Sequence, residues 1–180
     1  MSNIMNNKIL CFEYILYQLI NWYKELRPTD MSLFSFTRLK ALKLLFFVSA
    51  IRKDEDRDLL DVFNNFHAMQ HGPVESDIYN AMIEDKLLHY NFKSRFIEVG
   101  QVLEYDFREL GENCNRITNS INLLRERNEK IVTYTASQLV DLSHKWESWQ
   151  IAIHMANIFD KGSEPMDCGL IRSNRQYYSL

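Results

Sequence analysis

His67 and His71 stand four residues apart. On one helix both imidazoles would face the same side and could reach a single Zn²⁺. A zinc protease of the H-E-x-x-H kind places Glu directly after the first histidine as its general base, and here Ala68 follows instead. A third ligand would have to come from elsewhere, for instance His144, His154 or Cys114, and nothing in the sequence selects one. The structural alternative has His71 hydrogen-bonding at a chain corner while His67 lies on the surface. Asp141, Ser143 and His144 are the residue types of a hydrolytic triad, but a triad is a matter of geometry and usually joins residues distant in sequence. The charge run Arg52 to Asp58 offers carboxylates to a cation. Counted from Asp54, the sixth and twelfth loop positions hold Leu59 and Asn65, where a calcium loop needs Gly and a bidentate acid. The run reads as a solvated turn and helix start. There is no phosphate-binding glycine loop, dinucleotide fingerprint or G-x-S-x-G elbow. The residues therefore supply no catalytic constellation, metal set or cofactor motif. A small metal-dependent or hydrolytic enzyme built on His67, His71 and His144 stands as the competing reading.

The elements that must position these residues are helical. The chain has 180 residues, enough for one domain with a real core. Five glycines and three prolines are few for a turn-rich β-sandwich. The net charge of −3 and the absence of a basic stripe disfavour nucleic acid. Cys11, Cys114 and Cys168 are odd in number and far apart, which fits a reducing, cytoplasmic setting. The apolar run Ile9 to Ile20 carries Glu13 and Gln18 and is too short to span a membrane. It also lacks the basic start and small-residue cleavage site of a signal peptide.

In chain order, Met1 to Asn7 reads as frayed and Ile9 to Leu26 as an amphipathic helix ended by Pro28. A second helix spans about Ser35 to Ile51. It is apolar all round from Leu44 to Val48 and therefore central, with Arg38, Lys40 and Lys43 at a solvated end. Leu59 to Gln70 reads as a helix on Leu59, Phe63 and Phe66. Gly72 and Pro73 end it, and a further helix runs from Glu75 to about Leu88. Arg95 to Val99 and Val102 to Phe107 can pair as a small hairpin. Helices follow at about Cys114 to Asn128, from a cap at Thr135 or Ser137 through Trp146, and from Trp149 to about Phe159. Ile131-Val132 forms an extended link. Trp149 is assigned to the core, Trp146 to core or interface. The tail, with Ile171, Tyr177 and Tyr178, docks back. The architecture expected is mainly α, a compact single-domain bundle of about six to eight helices with a small β hairpin.

Phe66 to Tyr79, FHAMQHGPVESDIY, carries HGPV between two apolar segments. This stretch, the earlier LKALKLLFF of Leu39 to Phe47 and the later SQLVDLSHKWESW of Ser137 to Trp149 resemble, in order, segments of the Panacea domain family of SocA-like and GepA-like antitoxins in bacteria and phages. The late pattern is carried by Leu139, Leu142, Ser143, His144 and Trp149. The resemblance covers about Thr37 to the C-terminus, so residues 1–36 stand as an N-terminal helix and connection, a possible extension, and 37–180 as the Panacea-like domain. His71 departs from the family's usual Tyr, and Lys145-Trp146-Glu147 from its usual acidic-proline turn.

The resemblance implies an antitoxin that neutralises a cognate protein toxin by direct contact, with no catalytic residues and no cofactor. A proteolytic adaptor that delivers a toxin to a protease is the alternative within the family, and self-association is open. His71, Gly72, Pro73, Val74, Tyr79, His144 and Trp149 are the motif residues it marks as structural or partner-binding. No nucleic acid or membrane partner is expected.

Overall fold

The computed structural model describes residues 3–30, 36–52, 58–92, 96–99 and 102–180. The chain is mainly helical, with a small three-stranded antiparallel sheet and one shared core. Helix α1, Asn3–Leu26, begins earlier than the apolar pattern suggests, within the segment expected to fray. It buries Ile9, Phe12, Ile15, Leu16, Leu19 and Trp22 against several later elements. Its apolar positions thus occupy more than one stripe.

Helix α2, Arg38–Ala50, is capped by Thr37, whose Oγ1 accepts the Lys40 N–H at 3.2 Å. From Lys40 to Ala50 every residue is buried. The all-round apolar reading is right for its centre. The solvated end is not: Lys40 and Lys43 are fully buried with the rest. The expected start at Ser35 and the central part of the charge run, 53–57, lie outside the described residues.

The largest departure is at residues 59–75. The expected helix over Leu59 to Gln70 is a turn followed by a strand. Leu59, Leu60 and Phe63 are buried in the turn. Strand β1, Phe66–Met69, pairs with β2, Gly72–Glu75, and on its other side with β5, Glu164–Pro165. HGPV is therefore the tip of a β-hairpin rather than a helix corner. Helical spacing and strand alternation both fit the apolar residues here. Phe66 and Ala68 point inward while His67 and Met69 are half-exposed. The backbone groups are satisfied across the sheet instead of along a helix.

Helix α3, Ser76–Ile83, leaves β2 directly. Its N-cap is Glu75, fully buried, whose Oε2 accepts the Ile78 N–H at 2.8 Å. Glu75 Oε1 takes the Asn65 N–H at 3.2 Å and Lys8 Nζ at 2.9 Å. Lys8 also reaches Asp77 at 2.6 Å, so α1 is clamped to the root of the hairpin. Strands β3, Tyr90–Asn91, and β4, Glu98–Val99, form a separate two-stranded ladder. The hairpin expected over 95–107 is thus shifted: 98–99 pair backwards with 90–91, and Glu104–Leu110 is a 3-10 segment. Residues 93–95 and 100–101 lie outside the described set. The buried carboxylate Glu13 organises this region, taking the N–H groups of Leu88 and His89 at 2.7 Å and of Tyr90 at 3.2 Å.

Helix α4, Glu112–Arg127, packs on α1, and Ile131–Thr133 forms a 3-10 turn in place of the extended link. Helix α5, Ala136–His144, starts at a Thr135–Gln138 capping box. Trp146 breaks it from α6, Glu147–Ile158, and α7, Cys168–Ser173, returns to the core through Ile171. The tail docks as expected: Trp146 Nε1 donates to the Tyr177 carbonyl at 3.0 Å, and Tyr178 packs on Phe47.

Replacing Glu75 by Ala removes an N-cap and leaves the Lys8 ammonium without its buried partner. Glu75→Ala is expected to lower unfolding free energy by about 3–5 kcal/mol in urea titration. A loss under about 1 kcal/mol, the value of an exposed ion pair, would show that Glu75 does not anchor the hairpin.

Candidate functional site

The hairpin tip is a two-residue loop, Gln70-His71, followed by Gly72 at φ +91°. That φ is in the region only glycine enters readily. Space makes the same demand: a Cβ on Gly72 would overlap Ser143 Oγ of α5 and stand 3.2 Å from the end of Lys43 of α2. Pro73 lies on β2, an edge strand of the sheet, where a missing N–H breaks no ladder bond. Its carbonyl accepts Lys43 Nζ at 2.6 Å. Val74 is buried and Tyr79 half-buried.

Beneath the tip, His144 at the end of α5 stacks flat on Trp149 of α6, with ring centroids 3.9 Å apart. Trp149 Nε1 donates to the Met69 carbonyl at 3.1 Å and so ties α6 to β1. Trp149 is partly buried at the core margin, whereas Trp146 is fully buried, edge-on to Phe46 at 4.7 Å. The two tryptophans thus exchange part of the roles expected of them.

The histidines are also rearranged. His67 is on a strand and His71 in a turn, so the shared helix face required for a zinc pair does not exist. His67 Nε2 meets Asn65 Oδ1 at 3.2 Å, and His71 is the exposed one, the reverse of the expected assignment. Among the described residues no group of three or more His, Cys, Asp or Glu stands close enough to hold a metal ion. Ser143 Oγ donates to the Val140 carbonyl at 2.8 Å, and the His144 ring is engaged by Trp149, so the three triad-type residues do not assemble.

Two buried cations escape sequence reasoning. Lys43 is pushed down to about 7 by burial, with the Pro73 carbonyl as its hydrogen-bond partner. Lys40 is lowered to about 8 by burial, against the pull of the Asp30 carboxylate. Its Nζ has no hydrogen-bond partner among the described residues and lies 4.7 Å from the Phe36 ring centroid and 5.0 Å from that of Tyr23. Cation–π attraction offsets part of that burial. The one available signal was a pair of lysines inside a run otherwise apolar from Leu39 to Val48. His144 is held below the ordinary histidine range by burial and then by the nearby Lys43 cation.

Above this cluster a groove of about 840 Å³ opens between α2, the hairpin and α3. Leu39, Leu42, Met69 and Val74 supply apolar surface, with Arg38, Gln70, His71 and Tyr79 as polar groups. Elsewhere α6 and its C-cap expose Ile151, Met155, Ile158 and Phe159, spaced to follow one flank of the helix.

Residues 42–150 match the model of the family described as antitoxin SocA-like, Panacea domain, and this is more than half of the chain. The chain is a member of the Panacea domain family. No curated protein and no solved structure matches it. In this Panacea domain the matched span starts inside α2 and ends inside α6, so it contains the hairpin, Lys43, His144 and Trp149. Helix α1 and the C-terminal tail lie outside the match yet bury their side chains in the same core.

Two outcomes test how this Panacea domain holds its hairpin. Gly72→Ala is expected to destabilise by at least ~1–2 kcal/mol from the positive φ alone, and further from the overlap with Ser143. In a double-mutant cycle Ser143→Ala should recover only the overlap part; strict additivity would refute the contact. The lowered Lys43 and Lys40 values carry a pH signature. Their unfolded value is near 10.5, so from pH 7 upward the unfolded chain binds more protons than the folded one, and stability rises with pH. Between pH 7 and 9 the slope should approach ~1.4 kcal/mol per unit for each proton involved. Lys43→Met should reduce it; an unchanged slope in the variant would show that Lys43 is not the titrating group.

Proposed function

We propose that this Panacea domain is an antitoxin that neutralises a cognate protein toxin in the cytoplasm by binding it, without catalysis. Membership of a family described as SocA-like antitoxins carries the reading. Two features of the surface support it. The groove beside the hairpin is mainly apolar, and α6 presents Ile151, Met155, Ile158 and Phe159 to solvent. Contiguous exposed apolar surface of this kind is typical of protein-binding faces. Among the described residues no helix is long and apolar enough to cross a membrane.

On this reading the motif residues divide in two. Gly72, Pro73, His144 and Trp149 hold the hairpin against α2, α5 and α6. His71 and Tyr79 line the groove and meet the partner, and Val74 lines it from a buried position. Neutralisation follows from covering the toxin's active site or substrate access, which needs an interface above about 1,000 Å² in total.

The test is a growth assay. Each gene adjacent to the one encoding this chain is induced alone and together with it, and any toxic product is then co-purified. Growth arrest relieved by co-expression, with a stable complex in gel filtration, is the expected result. Rescue without a complex would point to toxin removal by a protease, the adaptor reading, and toxin half-life in a protease-deficient host would then decide it. If no adjacent product is toxic, the antitoxin proposal fails.

A further inference from the structure

We infer that the groove beside the hairpin receives an acidic, amphipathic segment of the toxin, its apolar side chains on Leu39 and Met69 and a carboxylate on Arg38 and His71. This rests on the antitoxin reading and specifies the chemistry of the partner.

The charge of the groove bears on what can enter it. The chain carries 24 acidic residues and a net charge of −3. No carboxylate lines this groove among the described residues. Arg38 stands on its wall at the first position of α2. Its Nη2 donates to the Phe92 carbonyl at 2.8 Å, its Nε is buried, and none of the ion pairs among the described residues involves it, so the donors left for a partner are the remaining Nη hydrogens. A guanidinium held by one carbonyl keeps donors for the bidentate geometry that a carboxylate provides. His71, exposed at the hairpin loop, adds a second donor on the same groove.

Size and shape fit a segment rather than one side chain. About 840 Å³ is at the upper end of the range for sites that bury a whole drug-sized molecule. An amphipathic helix laid in such a groove presents anchors at i, i+3 or i+4 and i+7. The floor is preorganised, because the hairpin is fixed through Gly72 against Ser143, through Pro73 on Lys43 and through Met69 on Trp149. Preorganisation lowers the ordering cost of binding. Gly162, which follows α6 in the chain, also lines the groove.

The experiment uses the toxin recovered by co-purification and, as an independent apolar anion, 8-anilinonaphthalene-1-sulfonate. Arg38→Glu and, separately, His71→Glu are made in the full chain, with melting curves to confirm folding. His71 is exposed in a loop, so its variant reports even where Arg38→Glu fails to fold. Each is expected to weaken the toxin complex at least tenfold in calorimetry, and Arg38→Lys less than Arg38→Glu. Wild-type affinity should fall as salt is raised. The dye should bind the wild-type chain at one site and lose that site in either glutamate variant.

If the toxin binds wild type and both glutamate variants equally, the groove proposal is overturned and the antitoxin function stands. If no toxin is found, the antitoxin reading fails by itself, and charge-dependent dye binding decides whether the groove takes an acidic, apolar ligand; its absence overturns the proposal. A concentration-dependent dimer that Arg38→Glu dissociates would place a second copy of this chain in the groove and overturn the toxin assignment.

Discussion

Gly72 lies where a side chain of any size would collide with Ser143 Oγ, and the hairpin comes as close to α2 and α5 as a bare backbone allows. The arrangement around the groove depends on that closeness. It brings the Pro73 carbonyl within 2.6 Å of a lysine buried in the central helix. It also sets Met69 where Trp149 can hold its carbonyl, and it leaves His71 and Val74 on one wall of the groove. A positive φ and an absent Cβ are two demands met by the same residue, and no other amino acid meets both.

Buried charge does the complementary work of holding the non-helical segments. Glu13 takes three consecutive backbone N–H groups from 88–90, Glu75 takes those of Asn65 and Ile78, and Asp58 takes that of Leu60 while pairing with Arg172 of α7. Each of these amides would otherwise need a helix or sheet partner. A buried carboxylate is costly to desolvate, and several N–H donors or a cation offset that cost. The short connections are thereby pinned to long helices, and the hairpin is presented on a rigid support. Lys43 and Lys40 are different: their burial is offset less completely, which is why both are shifted toward neutrality.

The same construction explains why the groove suits a partner. Its walls come from α2, the hairpin and α3, all fixed from behind by buried contacts, while its lining carries apolar groups, the Arg38 guanidinium and the His71 imidazole, and no carboxylate among the described residues. Polar donors left on a preformed apolar surface favour an orientation as well as an affinity.

Much of the molecule was legible in order along the chain. Helical periodicity located α2, α4 and the end of α1 to within a few residues while missing the first turns of α1, one of the two expected caps, Thr135, started α5, and all-round apolar character placed α2 at the centre. Gly72 was readable as a positive-φ position from the Gly-Pro pair that follows a run of apolar residues. Residues 59–70 were misread because Leu59, Phe63 and Phe66 satisfy helical spacing, while Phe66 and Ala68 equally satisfy strand alternation. Local pattern cannot choose when the decisive hydrogen bonds go to 72–75 and 164–166. By itself the sequence determined the helical class, the central helix, the family and the glycine at the tip, because these rest on local propensity and on motifs contiguous in the chain. Only the tertiary structure decided that HGPV is a hairpin tip, that Lys40 and Lys43 are buried, that Trp146 rather than Trp149 is the core ring, and that Arg38 and His71 share a groove. Those outcomes depend on which distant backbone groups and charges come together, and on the one place where a missing Cβ lets them.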